Sequence, residues 1–378
     1  MHHTETSTPM KSIKLLTFSA LFALSLNAAR AETIRPESLA DYRARMKWFA
    51  DAQYGMFIHF GLYSHLGGEW KGELVPWYTE WLQATKNIPR EEYATIAKEF
   101  NPDQFDADRI ACTAKEAGMK YLVITTKHHD GFCLWDSQYT DFDVANTPFK
   151  GRDILAELAE ACKKHGIRYG LYYSIIDWHH PAQKPSMQGG GAFSTWGQTV
   201  IEEGRKEEYV SYQTNQVLEL IKKYDPAILW FDADWTNWWT MDDGIKLYNT
   251  IRQASPDIIV NNRVAKREGF ELDYVTQEQE HFKDAFPKHW EACYTLNDSW
   301  GFKKNDHQWK SAETVYNKLK DINEKGGNLL LNVGPDAKGQ IQPEAIAVLK
   351  EVAKRLEREP ITKKIPEITN VPGIVGNR

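Results

Sequence analysis

Short apolar runs without a polar face, separated by amphipathic stretches, constrain this chain more than any other feature. Runs with strand character stand at Met56–Phe60, Tyr121–Thr125, Tyr169–Tyr173, Ala227–Phe231, Ile258–Val260 and Leu329–Val333. A strand wetted on one side alternates apolar and polar residues; these runs do not, so both of their faces are covered. Between them the apolar spacing becomes helical. Ile154, Leu155, Leu158 and Cys162 share one face and stop at Gly166, and Val217, Leu218 and Ile221 precede the fourth run. Ala312, Val315, Leu319 and Ile322 form a later stripe, as do Ile346, Leu349, Val352 and Leu356 after Pro343. Strand and helix alternating in this way make a parallel sheet clothed by helices.

Two architectures satisfy that pattern, an open doubly wound sheet and a closed (β/α)8 barrel. No GxGxxG or Walker loop follows the first strand, so the nucleotide-binding sheet lacks its signature. The strands run instead into His59, into His128-His129-Asp130, into Ser174 and Asp177, and into Asp232. Reactive groups gathered at the C-terminal ends of several strands are what a barrel active site needs. The reading taken is an α/β fold, a (β/α)8-like (TIM) barrel catalytic domain over residues 32–358, with residues 359–378 as a C-terminal tail. From Lys266 to Lys310 the periodicity fails, and the sixth and seventh strands are not placed. Gly189-Gly190-Gly191 reads as a loop, because it lacks the Lys-Ser/Thr that follows a phosphate cradle.

The N-terminus points to export. Lys11 and Lys14 precede an apolar core from Leu15 to Leu26, and Ala29-Arg30-Ala31 has the small-x-small form of a cleavage site. Residues 1–31 are therefore read as upstream residues and a secretory signal peptide. The mature chain begins at Glu32, is periplasmic or secreted, and carries no lipid anchor, since no Cys adjoins the cleavage point. Cys112, Cys133, Cys162 and Cys293 match neither a disulfide framework nor a zinc motif, and read as small buried hydrophobes. A net charge of -6 with both signs interspersed excludes a nucleic-acid-binding surface. The 14 Trp, 17 Tyr and 16 Phe tilt the reading towards sugars, whose C–H faces suit flat rings.

Chemistry concentrates in ILWFDADW, residues 228–235. Asp232 ends an apolar strand among Trp230, Phe231 and Trp235, a context for catalysis as much as for a turn. Asp234 is read as capping the following turn. His128 and His129, adjacent on extended chain, point opposite ways and cannot share an ion. They are read as partners of substrate hydroxyls, with a core histidine as the bland alternative for one of them. Neither a GxSxG element nor a metal-ligand spacing is present, so no metal and no cofactor are expected. What remains is the paired-carboxylate equipment of glycoside hydrolysis. Glu278 and Glu280 in YVTQEQEHF, and Glu291 in HWEACYTLNDSWGF, supply candidates for the second carboxylate.

GMFIHFGLYS, TTKHHDGFCLWDS, GRDILAELAEACKKHGIRYGLYYS, LWFDADW, NNR and GGNLLLNVGPDAKG together resemble the α-L-fucosidases of glycoside hydrolase family 29. These blocks extend from about residue 45 to residue 345. The resemblance implies a retaining exo-glycosidase on a barrel-like fold, acting without metal on a fucosylated glycan or oligosaccharide. It implies Asp232 as nucleophile and His59, His128, His129 and Arg263 as fucose contacts. One tyrosine of Tyr172-Tyr173 joins them, taken as Tyr173, and Phe57 and Trp230 suit the sugar's methyl group. Trp77 resembles the tryptophan of the family's EWY element, with Pro76 in place of its acid. For the acid/base, Glu278 resembles the glutamate of a TPE element whose proline is Gln277 here, and Glu291 sits in a WExC element; Glu278 is placed first. The resemblance also implies a β-sandwich after the last barrel helix, for which the tail of residues 359–378 is expected to be too short. The rival readings are a non-catalytic fucose-binding protein on the same barrel and a different exo-glycosidase.

Overall fold

Leu122, Val123 and Ile124 are wholly buried, as are Leu229 and Phe231, which is what runs apolar on both faces require. The computed structural model describes residues 33–185 and 199–373. Eight strands make one parallel sheet: β1 (Tyr54–Ile58), β2 (Tyr121–Lys127), β3 (Arg168–Ser174), β4 (Ile228–Asp232), β5 (Ile259–Val260), β6 (Val275–Glu278), β7 (Trp290–Thr295) and β8 (Asn328–Val333). Their order is β6-β7-β8-β1-β2-β3-β4-β5, so each strand lies beside its neighbour in sequence. Just past β5, Asn261 bridges Tyr274 in parallel, and the Asp273 amide donates to the Val260 carbonyl. The edges of the sheet thus meet, giving the (β/α)8-like barrel that the pattern predicts.

Helices cover the outside: α1 (Leu39–Ala52), α2 (Ala107–Glu116), α3 (Ile154–His165), α4 (Lys206–Tyr224), α5 (Met241–Ala254), α6 (Ala312–Glu324) and α7 (Pro343–Arg358). In α1, α2, α3, α5 and α6 a side chain accepts from amides of the first turn. Asp153 accepts from Leu155 and Ala156, and Ser311 from Thr314. Gly166 ends α3 at φ 70, a left-handed position that costs glycine nothing.

The sixth and seventh strands fall inside the aperiodic stretch, as β6 and β7. A 3-10 turn, Asn262–Val264, leads from β5 towards β6, and a loop over residues 279–289 joins β6 to β7, with no α-helix in either connection. Without helices there is no 3.6-residue apolar repeat to find. After α7 the tail runs across the barrel's N-terminal end. Gln53 donates to the Ile361 carbonyl, and Lys363 donates to the Ala50 carbonyl and to Asn328 Oδ1. That end is opposite the strand ends bearing the reactive groups. The four cysteines are unpaired; Cys133, Cys162 and Cys293 are buried, whereas Cys112 is half-exposed with its thiol 3.5 Å from Glu116. The signal-peptide segment and Gly189-Gly190-Gly191 lie outside the described residues.

Candidate active site

The C-terminal ends of six strands converge on Asp232, the last residue of β4 and itself almost buried. Arg263, in the turn after β5, is completely buried and sets Nη1 2.7 Å from Asp232 Oδ1. The same Nη1 lies 2.9 Å from Glu278 Oε2 at the end of β6. Its Nε donates to Thr276, while Nη2 is buried with no protein partner. The guanidinium also lies over the Trp230 ring, 4.8 Å from its centroid. Burial pushes the Asp232 carboxyl up, but Arg263 first, then His129 and Arg267, pull it down to about 2. His129 is itself held down to about 4, so near neutral pH it is uncharged and the two arginines carry this effect.

Strand alternation decides between the paired tyrosines. Tyr172 points into the barrel and donates to Asp232 Oδ2 at 3.0 Å, its ring stacked on Trp230 and His128. Tyr173 points outward, donating to Gln216 of α4, with Lys127 Nζ above its ring. The tyrosine at the site is therefore Tyr172, not Tyr173.

The histidines correct a second expectation. His128 and His129 follow β2 in a turn, not in extended chain, and their ring centroids lie only 4.1 Å apart. Gly131 makes that turn at φ +83, and a Cβ there would stand 2.3 Å from Asp177 Oδ1. Asp177 pairs with the buried Lys127 at 2.9 Å, and the Trp178 amide donates to the His129 carbonyl. The loops after β2 and β3 are thereby locked together. His59, after β1, lies 5.7 Å from His128. Burial depresses all three imidazoles: His59 to about 3, His129 to about 4, and His128 well below its ordinary value.

The two glutamates differ in kind. Glu278 leaves 38% of its side chain exposed. Glu291, the second residue of β7, is wholly buried within the barrel, accepting from Tyr121 Oη at 2.5 Å and Trp230 Nε1 at 2.8 Å. Gly55 admits the Tyr121 ring, which a Cβ would strike at 2.5 Å. Burial drives the Glu291 carboxyl up to about 7, more than its two hydrogen bonds draw it down.

Two further positions depart from expectation, and Trp81 and Trp300 join the site without having been singled out in the sequence. Trp77 stands at the rim, 39% exposed and parallel to the Tyr78 ring, whereas Trp81 in the same PWYTEW meets His129 at 5.1 Å. Asp234 does not cap the turn after it; buried, it grips the amide and guanidinium of Arg267, 33 residues on. Trp300 lies 5.0 Å from His59, and only its place among aromatic-rich blocks marked it in the sequence. Phe57 and Trp230, 5.1 Å apart, form a buried apolar floor. Among the described residues, no group of three or more His, Cys, Asp or Glu is arranged to hold a metal ion.

The family model for Alpha-L-fucosidase matches residues 21–359. A putative alpha-L-fucosidase of Caenorhabditis elegans is 31% identical over 86% of this chain and 67% of its own length. The tissue alpha-L-fucosidase of Bos taurus is 30% identical over 80% of this chain and 65% of its own. Among solved structures, alpha-L-fucosidase isoenzyme 1 from Paenibacillus thiaminolyticus superposes with a TM-score of 0.75 at 34% identity, covering 84% of this chain and 76% of that one. The alpha-L-fucosidase AlfC from Lactobacillus casei, in complex with alpha-L-fucose product, gives 0.74 at 36% identity, covering 83% and 98%.

Proposed function

This chain belongs to the α-L-fucosidase family, and on that premise we propose that Asp232 and Glu278 carry out its chemistry. The activity is that of an exo-glycosidase releasing terminal α-L-fucose from a fucosylated glycan or oligosaccharide. Asp232, kept ionised by Arg263, attacks the anomeric carbon as the glycosidic C–O bond breaks. Glu278 passes its proton to the departing oxygen, leaving fucose as an ester on Asp232. Water then adds to the anomeric carbon, Glu278 takes its proton, the ester breaks, and fucose leaves with its configuration retained.

The observation that carries this reading is the single nitrogen shared by both carboxylates. Their nearest oxygens lie no further apart than those two bonds laid end to end, about 5.6 Å. A shared cation holds the pair towards the short separation of retaining carboxyl groups, about 5–5.5 Å, and not towards the roughly 6.5–9.5 Å that admits a water in an inverting site. Glu291 has both oxygens occupied beneath the floor, which favours Glu278 as acid/base. His59, His128, His129, Tyr172, Arg263 and Trp81 are proposed to bind the sugar, with Phe57 and Trp230 under its methyl group. The buried Nη2 of Arg263 and Nδ1 of His128, without protein partners, suit ring hydroxyls. No described helix is long and apolar enough to cross a membrane. The charged and apolar sequence from Lys11 to Ala31 supports export to the periplasm or beyond.

Chemical rescue tests the assignment. Glu278→Ala should lose far more rate on a fucosyl-oligosaccharide than on an activated aryl fucoside, and azide should restore turnover as fucosyl azide of retained configuration. Rescue only in Glu291→Ala would reverse the assignment. Turnover of nitrophenyl α-L-fucoside but not nitrophenyl β-galactoside by the wild-type chain separates this function from both rivals.

A further inference from the structure

Two imidazoles in this cleft have their proton placed by neighbours that leave no alternative. His59 Nδ1 lies 2.6 Å from Asn332 Oδ1, while Asn332 Nδ2 donates to the Trp300 carbonyl at 2.7 Å. A carbonyl only accepts, so the amide cannot be turned over, and its oxygen must face the imidazole. His59 therefore carries its proton on Nδ1. His129 Nδ1 lies 2.7 Å from Ser174 Oγ, and Ser174 spends its one proton on the Ile176 carbonyl at 2.7 Å. Ser174 can only accept from His129, which again places the proton on Nδ1. Both supporting residues are wholly buried, so water does not compete for these bonds.

We infer that Asn332 and Ser174 are positioning residues that hold His59 and His129 as Nδ1–H tautomers, making both Nε2 atoms hydrogen-bond acceptors for sugar hydroxyls. Burial keeps both rings neutral near pH 7, so neither Nε2 gains a proton by ionisation. The 3.8 Å between His129 Nε2 and Asp232 Oδ2 fits two acceptors that cannot bond directly. The cleft then has an assigned polarity. His59, His129 and Asp232 accept, while Arg263 Nη2 donates, the Tyr172 hydroxyl having spent its one proton on Asp232 Oδ2. The resulting specificity rests on the fucosidase reading: at positions met by the two histidines the site demands a hydroxyl that donates. Fluorine, which cannot donate, does not replace it there. At a position met by Arg263, fluorine replaces it in part.

The tautomers are read from 15N spectra of the full chain labelled at histidine, near pH 7, with His59→Gln and His129→Gln assigning the signals. Both residues should show a protonated Nδ1 and a bare Nε2. An Nε2–H signal from either overturns the inference for that residue. In Asn332→Asp the added charge should convert His59 to imidazolium, and in Ser174→Ala the His129 tautomer should become mixed. An unchanged His59 spectrum in a folded Asn332→Asp variant counts against the assigned role. Should either variant fail to fold, the wild-type spectra still decide. Inhibition by L-fucose and its monodeoxy and monodeoxyfluoro analogues reads the consequence without interference from reactivity. At the histidine-facing positions, both analogues should bind roughly ten- to hundredfold more weakly than fucose. Fluoro analogues matching fucose at every position would refute the polarity. If no analogue and no fucose binds, the fucosidase reading fails while the spectra still judge the tautomers.

Discussion

Replacing Glu291 with Gln separates two roles open to this carboxyl, proton donor to the leaving group or fixed support for Trp230. Glu291 is wholly buried, with burial as the main cause of a folded value raised from 4.5 to about 7. A raised carboxyl stabilises the fold fully below its unfolded value, and that contribution is lost as pH rises towards the folded value. The window is therefore about pH 4.5 to 7, and with 1.4 kcal/mol per unit the loss from near pH 5 to near pH 8 is about 2.5 kcal/mol. Gln is isosteric: its carbonyl can accept from Trp230, and its NH2 can donate to Tyr121 Oη. Asp130 and Glu80, also driven by burial to about 7, contribute in the same window, so only the difference between variant and wild type isolates Glu291. Lys363, pushed by burial down to about 7, acts on the other side, adding stability as pH rises from 7 towards its unfolded value, and its attraction to the Glu291 charge is part of what the difference reads. Urea denaturation at both pH values should show the Gln variant gaining about 2.5 kcal/mol on wild type between them. Activity on a fucosyl-oligosaccharide should stay within about tenfold of wild type. Equal pH dependence in both proteins would refute the buried, protonated carboxyl. A large activity loss confined to poor leaving groups would instead make Glu291 the acid.

Asp232→Asn should lower kcat by more than about a thousandfold while the protein stays folded and binds fucose; retention of more than a few per cent of activity in pure protein contradicts the nucleophile assignment. Lys127→Met leaves Asp177 as an unpaired buried charge, an expected cost of about 3–5 kcal/mol in urea denaturation, and frees the His128-His129 turn; a cost below about 1 kcal/mol would show that the loops hold without this pair. Exhaustive dialysis against EDTA should leave activity intact, and restoration of lost activity by zinc or calcium would overturn the paired-carboxylate mechanism.

The barrel was legible because it follows from local pattern. Burial on both faces writes β1 to β4 and β8 as mainly apolar runs, and helices such as α3 and α6 carry their covered stripes in the order of the chain. The strand-end positions of His59, His128-His129 and Asp232 came with it, since a parallel strand shows where it stops. Tertiary structure decided what pattern could not encode. The choice of Tyr172 over Tyr173 depends on which face of β3 looks inward, and a strand buried on both sides hides that difference. Asp234 meets Arg267 only because the loops after β4 and β5 lie side by side. β6 is short and β7 mixes Glu291 with apolar residues, and neither is flanked by a helical repeat that could frame it. The contrast between Glu278 and Glu291 is the sharpest case. Both are glutamates near aromatic residues in an aperiodic stretch. Closure of the barrel places one beside Arg263 at the open strand ends and seals the other beneath Trp230, because depth along a strand axis has no signature in the order of residues.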